Sequence, residues 1–351
     1  MEENKLDVPE FLYNGRTLPV VDVRSPVEFQ KGHIPDALNL PLFTNEERSL
    51  VGTLYLQKGS SEALMKALEL IGPKLKDFAA YALTIAPQRE LLLHCWRGGM
   101  RSNSMAWLLS TAGMRTGTLN GGYKSYRRYV RECFLRPVNL WIIGGMTGSG
   151  KSEVIEALES KGQQVVHLER LAKHKGSVFG GVGMPQQPTT EQFENDLYTC
   201  LSQLDPKVIT FVEDESLAIG KVFIPRPFFD QMSAARLVKL TVPFDRRVKQ
   251  LVSAYTGGDR ELLITSVRRI ERRLGPENTR TVTDYIRTGE MTKAVELVLK
   301  YYDKIYSRSM DANKRKEVLE IEIKDESADT ITDSIITTIL PNHQSPITNH
   351  P

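Results

Sequence analysis

The chain has 351 residues and a net charge of +3, and 40% of its residues are hydrophobic and 25% charged. This composition is typical of a soluble globular protein, and the length predicts two domains, with three an open alternative. No apolar run approaches the ~20 residues that a membrane-spanning helix requires, and with so low a net charge any nucleic-acid partner must be bound by a local basic patch.

The cysteines and the start of the chain indicate where the protein is expected to work. Cys95, Cys133 and Cys200 form no CxxC pair, which argues against a disulfide framework or a structural zinc site. The first fifteen residues are acidic and lack an apolar core, so they are not expected to be a secretory signal. We expect a cytoplasmic protein with reduced thiols, without membrane contact and without a dedicated metal site.

Strands and helices alternate in the first part of the chain. The patterns predict strands in "PVVDV" and "ELLLHC" and helices in "SSEALMKALELIGPKL", "SNSMAWLLSTAGM" and "KSYRRYVRECFLRP". Such alternation predicts a parallel α/β sheet. We place this first domain at residues 1–136, with Pro137 as a hinge.

The loop after "ELLLHC" combines a cysteine, two glycines and two arginines. Glycines allow successive backbone N–H groups to turn inward and form an anion-binding nest. These amides, the following helix and Arg101 favour a thiolate at Cys95. We therefore predict that Cys95 and Arg101 are catalytic and that the anion is bound by Trp96, Arg97, Gly98, Gly99 and Met100. A buried structural cysteine is the alternative.

A second α/β domain is predicted at residues 137–340, followed by a flexible tail at 341–351. Its strands are expected in "VNLWIIGG", "QVVHL", "KVITFVEDES" and "ARLVKLTVP", and from about residue 244 the pattern is mostly helical and rich in arginine. The apolar segment "GKVFIPRPFF" packs in the core or forms a wall for a hydrocarbon tail. His174 and the glycine-rich loop after it are further candidates for lining a site.

The second domain begins with a sequence that fits G-x-x-x-x-G-K-[ST] between a strand and a helix, the P-loop pattern. Backbone amides of such a loop wrap a diphosphate, the lysine adds a point charge, and Ser152 ordinarily holds Mg²⁺. ATP, GTP or another molecule that contains a diphosphate group could therefore be the ligand of this loop. The segment "VEDES" either supplies a Walker B carboxylate or is an ordinary acidic end of a strand. The predicted diphosphate site comprises Gly145, Thr147, Gly148, Ser149, Gly150, Lys151, Ser152 and Asp214.

Two arginine clusters are candidates for phosphate contacts with RNA. One has four arginines in "SVRRIERRLG", expected on one side of a single helix, and the other has tyrosines interleaved in "YRRYVREC". Solvated helix faces with local ion pairs are the alternative. The predicted RNA-binding residues are Arg127, Arg128, Arg131, Arg268, Arg269, Arg272 and Arg273.

"DVRSPVEFQKGHIPDALNLP" followed by C-x5-R resembles the rhodanese superfamily over residues 8–135. The common sulfurtransferase loop is C-x4-R, and the longer loop here also resembles the phosphatase branch. A wider loop suits a tetrahedral anion. The resemblance implies that Asp22 and Arg24 belong to the scaffold.

With "HCWRGGMRS", "GGMTGSGKS", "HKGSVFGGVG" and "RRLG" together, nearly the whole chain resembles the tRNA 2-selenouridine synthase family. The resemblance implies a tRNA with 2-thiouridine at the wobble position as partner. It implies S-geranylation with geranyl diphosphate, then replacement of the geranylthio group by selenium from selenophosphate, with no tightly bound cofactor. Cys95 would form a perselenide or only bind the donor.

Three other functions remain open at this point. A phosphatase of the Cys-x5-Arg type would leave the P-loop unused. A P-loop kinase with a regulatory rhodanese module would leave Cys95 without a role. An RNA-binding protein without activity would explain neither anion-binding loop.

Overall fold

The computed structural model describes residues 4–255, 258–309, 315 and 317–340. The described chain divides into two units, Met1–Phe134 with Glu194–Thr199, and Leu135–Phe193 with Cys200–Pro351. The tail predicted at 341–351 lies outside the described residues. In the described part of the chain no helix is both long and apolar enough to cross a membrane.

The first unit is built on a parallel sheet whose five strands, within the described residues, lie in the order β1-β5-β4-β2-β3. The strands are β1 (Lys5–Leu6), β2 (Val20–Asp22), β3 (Leu38–Asn39), β4 (Glu90–His94) and β5 (Arg115–Leu119). The helices are α1 (Val8–Asn14), α2 (Pro26–Lys31), α3 (Asn45–Lys58), α4 (Ser60–Ile71), α5 (Leu75–Ile85), α6 (Met100–Thr111) and α7 (Gly122–Cys133), with a 3₁₀ turn at Gly72–Lys74.

The middle strand of this sheet, β4, carries the run of leucines. Leu91 and Leu93 are 1% and 0% exposed and pack with Val21 and Met105 in one core. Burying such a side chain contributes about 1.5–3 kcal/mol. This core holds the end of β4, and therefore the cysteine that follows it, in place.

The second unit contains another parallel sheet, in the order β12-β11-β6-β8-β7 over the described residues. Its strands are β6 (Leu140–Gly145), β7 (Gln164–Val166), β8 (Thr210–Glu213), β11 (Arg236–Thr241) and β12 (Val318–Glu322), with an antiparallel ribbon of β9 (Ala218–Ile219) and β10 (Val222–Phe223). The first helices are α8 (Lys151–Ser160), α9 (Leu168–Ala172) and α11 (Arg226–Ala234). Helix α10 (Thr190–Ser202) is divided, because its residues Glu194–Thr199 belong to the first unit.

The C-terminal part is helical, as expected, but it returns one strand to the sheet. The helices are α12 (Phe244–Tyr255), α13 (Arg260–Arg269), α14 (Glu271–Leu274), α15 (Pro276–Thr288), α16 (Met291–Ser309) and α17 (Ala328–Ile339). β12 pairs in parallel with β11 at the edge of the sheet. The α/β architecture of both units, with a helical C-terminal region, confirms the predicted fold class.

Candidate functional site

The cysteine loop lies at the carboxyl end of the middle strand of the first sheet, where open α/β sheets bind ligands. The loop is held by the start of α7, because Tyr123 N–H donates to the Cys95 carbonyl (2.8 Å) and Lys124 N–H to that of Trp96 (2.9 Å). Gly98 has φ +61°, and a Cβ there would lie 2.5 Å from the Leu119 carbonyl oxygen. This close approach explains why the loop requires glycine.

The Cys95 thiol is 3% exposed and lies 3.3 Å from the Ser102 hydroxyl. Burial alone would raise the pKa of Cys95. Hydrogen bonds from the Ser102 hydroxyl and from the backbone amides of Gly99, Ser102 and Arg97 outweigh burial and hold the pKa below its usual value. The loop therefore favours a thiolate, as the sequence indicated. Ser102 was not among the predicted site residues, although it directly follows the C-x5-R pattern.

Arg101 pairs with Glu28, and not with the Cys95 thiolate that the sequence had predicted as its partner. Its guanidinium donates to both carboxylate oxygens of Glu28, at 2.7 and 3.3 Å. Glu28 is fixed by a capping box at the start of α2 with Ser25. The lowered pKa of Cys95 comes from Ser102 and the backbone amides. The prediction that Arg101 lowers this pKa is corrected accordingly.

The remaining loop residues differ in exposure. Arg97 and Met100 are exposed, whereas Trp96 is half-buried, with its ring centroid 5.8 Å from that of Tyr123. Below the loop, Arg24 is buried, donates to both oxygens of Asp22 and lies 3.8 Å over the Tyr123 ring. This buried pair has the scaffold role expected of it.

The P-loop occupies the equivalent position in the second unit, after the middle strand β6 and before α8. Lys151 Nζ donates to the Gly145 carbonyl (3.0 Å). A Cβ on Gly145 would lie 2.4 Å from the Ser149 hydroxyl, so the turn closes only with glycine. A cavity of about 410 Å³ opens beside the loop and is lined by Thr147 to Glu153 and by residues of α9 and α12.

Carboxylates dominate the far side of this cavity. Ser152 donates to Glu169 (2.7 Å), and Glu213 and Glu215 also line the cavity. Burial, followed by repulsion from Glu169, raises the pKa of Glu213 to about 8. Burial also raises the pKa of Glu215, against the opposing attraction of Lys151.

Asp214, the predicted Walker B residue, accepts a hydrogen bond from Arg315 (2.8 Å). The cavity is lined instead by the residues on either side of it, Glu213 and Glu215. Successive side chains of an extended chain point to opposite faces, so the alternation selects the two glutamates together and excludes the aspartate. This placement contradicts the prediction for Asp214.

The buried carboxyl of Glu213 is expected to make folding depend on pH. Its pKa is about 8 when folded, against 4.5 ordinarily, so between these values the folded protein retains a proton that the unfolded chain releases. The free energy of unfolding should therefore fall as pH rises through this window, by up to about 1.4 kcal/mol per pH unit. Glu213→Gln should flatten this dependence and raise the melting temperature at pH 8, with little effect at pH 4. Thermal unfolding at a series of pH values measures the pH dependence and the melting temperature, and Glu62→Gln at an exposed position is the control. If Glu213→Gln leaves the pH dependence of the unfolding free energy unaltered, Glu213 is ionised in the folded protein.

The glycine-rich loop contributes Lys175, Gly176 and Ser177 to the cavity, as the sequence suggested. His174 packs elsewhere, since a Cβ on Gly180 would lie 2.9 Å from its ring. The apolar segment after the acidic strand is mostly core, although Phe223 is 53% exposed. Val222, Ile224 and Phe228 are at most 2% exposed, so they do not form an open wall for a hydrocarbon tail.

The arginine cluster on α7 is only partly exposed. Arg127 is buried and pairs with Glu194 and Asn195 within the same unit. Arg128 and Arg131 are exposed. One helix face carries Tyr123, Tyr126, Arg127 and Val130 inward. This contradicts the prediction that Arg127 contacts RNA and leaves Tyr123 and Tyr126 unavailable for stacking, whereas Tyr129 is half-buried.

The other four arginines are all exposed but do not lie on one helix. Arg268 and Arg269 end α13, and Arg272 and Arg273 lie in the short α14. Ile270, with φ −102° and ψ 6°, interrupts the helix between the pairs. The cluster is therefore a bent, solvent-facing basic surface.

Together these features define a protein that joins a rhodanese-like domain with a cysteine-centred anion loop to a P-loop α/β domain. Residues 8–129 match the family model of the rhodanese-like domain, and residues 138–261 match that of the tRNA 2-selenouridine synthase AAA domain. The chain belongs to the tRNA 2-selenouridine synthase family.

Three relatives bearing the name tRNA 2-selenouridine synthase illustrate the similarity. The protein of Sulfurovum sp. is 32% identical over 84% of this chain and 89% of its own length, and that of Hydrogenovibrio crunogenus is 33% identical over 86% and 91%. The protein of Nitrosomonas eutropha is 38% identical over 68% of this chain, and the match spans 63% of that protein.

Proposed function

We propose that the protein converts 2-thiouridine at the wobble position of tRNA into 2-selenouridine in two steps. The thiocarbonyl sulfur first attacks the allylic carbon of geranyl diphosphate, and pyrophosphate leaves. The selenium of selenophosphate then attacks the carbon that carries the geranylthio group and displaces geranylthiolate, which alkylation has made a good leaving group. Hydrolysis of the selenium–phosphorus bond releases phosphate and leaves 2-selenouridine. The observation that carries the proposal is the presence of two different anion-binding loops in one chain, each after the middle strand of its own sheet.

The cysteine loop suits the selenium donor. Selenophosphate is a tetrahedral oxyanion, and the backbone amides of Arg97, Gly99 and Ser102 that stabilise the Cys95 thiolate are donors of the kind that bind such an anion. A phosphatase would use this loop alone and leave the P-loop without a substrate.

The P-loop suits the departing pyrophosphate. Lys151 and the backbone amides at the start of α8 stabilise negative charge that develops as the carbon–oxygen bond breaks. The cavity is lined by three lysine and arginine side chains and by five carboxyl groups, of which buried Glu213 and Glu215 have raised pKa values. A diphosphate that arrives with a divalent cation would bring positive charge to the remaining carboxylates. Ser152 and Glu169 would hold Mg²⁺, which supplies further neutralisation of the diphosphate.

The exposed arginines of α13 and α14 are expected to contact tRNA phosphates. Each neutralised phosphate contributes to the salt dependence of binding. Changing Arg268, Arg269, Arg272 and Arg273 to Gln should reduce the slope of log K against log salt by up to about four times 0.7–0.9. Filter binding at several salt concentrations measures the slope.

Arg226→Gln serves as the control for this measurement, because Arg226 pairs with Asp230 within its own helix and should leave the slope unaltered. If the variant with all four arginines changed to Gln keeps the parental slope of log K against log salt, these arginines do not contact tRNA phosphates.

Nucleoside analysis of tRNA tests the proposed function directly. Cells that contain the protein should hold 2-selenouridine at the wobble position, and cells without it should hold 2-thiouridine only. Identical nucleoside profiles in the two strains would contradict the proposal. ATP turnover stimulated by a small metabolite would support the kinase instead.

A further inference from the structure

The first unit contains an apolar groove of about 980 Å³ that the sequence analysis did not anticipate. Helices α3, α4 and α6 form its walls, and none of the fourteen residues of α3 is buried. Five apolar side chains that line it are between 41% and 85% exposed. Contiguous exposed apolar surface of this kind marks a binding site more often than scattered residues do. The five side chains are Leu56, Leu64, Leu68, Met100 and Trp107.

One end of the groove lies beside the cysteine loop. Met100 and Arg101, the first residues of α6, line the groove, and the next residue, Ser102, is hydrogen-bonded to the sulfur of Cys95. Met105, one turn further, belongs both to the groove wall and to the core that contains Cys95. A molecule in the groove would therefore extend away from the loop that handles the selenium donor.

The charge at this end of the groove is also informative. Arg48 and Arg101 both line it, and both approach the same carboxylate, that of Glu28, at 3.8 and 2.7 Å. Two guanidinium groups that share one carboxylate leave a net positive charge next to an apolar surface. This combination complements a hydrocarbon chain that is attached to a polyanion.

We propose that the groove binds the hydrocarbon chain of the S-geranyl group while the modified uridine lies at the cysteine loop, an inference that rests on the proposed function. In the second step the carbon that carries the geranylthio group must reach selenium, so the ten-carbon chain needs an apolar site near Cys95. The P-loop cavity, with its nine ionisable carboxyl and basic side chains, is a poor environment for hydrocarbon. The apolar groove beside α6 meets the requirement.

The test measures how affinity depends on the length of the alkyl chain. The full chain is titrated with anticodon stem-loop RNAs whose 2-thiouridine carries a methyl, a dimethylallyl or a geranyl group. Each buried methylene increases affinity about fourfold, so the geranyl RNA should bind at least ~100-fold more tightly than the methyl RNA even if only part of the chain is covered. The methyl RNA reports RNA binding without the chain.

Leu64→Gln and Trp107→Gln should each remove most of this preference and leave affinity for the methyl RNA unaltered. Both side chains are substantially exposed, 41% and 60%, so the variants should fold, and equal melting temperatures would verify this. Met65→Gln is the matched control, because Met65 is adjacent in α4 but does not line the groove, and it lies in a neighbouring depression with Glu62 and Glu69. Its preference for geranyl should remain parental.

Equal affinity of the parental protein for methyl and geranyl RNAs would overturn the inference, as would a parental preference in both groove variants. If Leu64→Gln instead dissociates a dimer without altering the geranyl preference, the groove is a self-association surface and the inference is wrong. Formation of 2-selenouridine without any geranyl preference would refute the groove alone. A preference that the variants lose, in a protein that forms no 2-selenouridine in cells, would support the groove and refute the proposed function.

Discussion

Cys95→Ala is expected to bind tRNA and attach the geranyl group but to form no 2-selenouridine, so that S-geranylated tRNA accumulates. The substitution removes the thiolate of the first anion-binding loop and leaves the second unit unaltered. Mass spectrometry of the wobble nucleoside distinguishes 2-thiouridine, geranylthiouridine and 2-selenouridine. Parental levels of 2-selenouridine would contradict the assignment of Cys95 to selenium handling. Loss of geranylation would show that the two steps share one site.

The other cysteines provide matched controls. Cys133 and Cys200 are half-buried, and burial raises the pKa of Cys200 to about 11, so that thiol is protonated at neutral pH. Cys133→Ala and Cys200→Ala should leave both steps close to parental.

Substitutions of Ser102 and Arg101 are expected to distinguish an effect on the Cys95 thiolate from an effect on selenophosphate binding. Ser102→Ala removes a hydrogen bond that lowers the pKa of Cys95, so the rate of thiol alkylation and of selenium transfer should rise at a higher pH than in the parent. Arg101→Ala should leave that pH profile in place, because Arg101 pairs with Glu28, and should weaken selenophosphate binding. If the pH profile of the rate shifts in Arg101→Ala and not in Ser102→Ala, then Arg101, and not Ser102, lowers the pKa of Cys95.

Lys151→Ala is expected to abolish geranyl transfer. The departing pyrophosphate would lose a cation whose contribution in the transition state is about 3 kcal/mol, or roughly 100-fold or more in rate. Single-turnover geranylation of a 2-thiouridine stem-loop measures this loss. Selenium transfer to RNA that already carries the geranylthio group should proceed normally if, as proposed, that step uses the first unit.

Lys161→Ala is the control for Lys151→Ala. Lys161 caps the opposite end of α8 from the P-loop and pairs with Asp333, so geranyl transfer should be retained. Geranylation at the parental rate in Lys151→Ala would show that the P-loop is not the prenyl donor site.

The amino-acid sequence alone was enough to predict the two anion-binding loops and the parallel α/β fold around them. Both loops are contiguous segments between a buried strand and a helix, and their glycines meet local requirements, such as positive φ at Gly98 and Gly150. Local requirements of this kind can be recognised without knowledge of distant contacts. The two-residue strands β1, β3, β9 and β10 were missed because their patterns are too brief, and β5 and β12 were missed although they are as long as β4. Tertiary pairing contributes to the stability of such strands.

Which charged side chains face a ligand depends on contacts between segments that are far apart in the sequence. Arg101 binds Glu28, 73 residues away, Asp214 binds Arg315, 101 residues away, and Arg127 binds Glu194, 67 residues away. Each pairing depends on which face of a strand or helix meets a distant element. At the end of β8, a shift of one residue along the chain decides whether Asp214 or its neighbours Glu213 and Glu215 face the cavity. The apolar groove likewise exists only because α3, α4 and α6 converge, since no local pattern states which helix faces remain uncovered after folding.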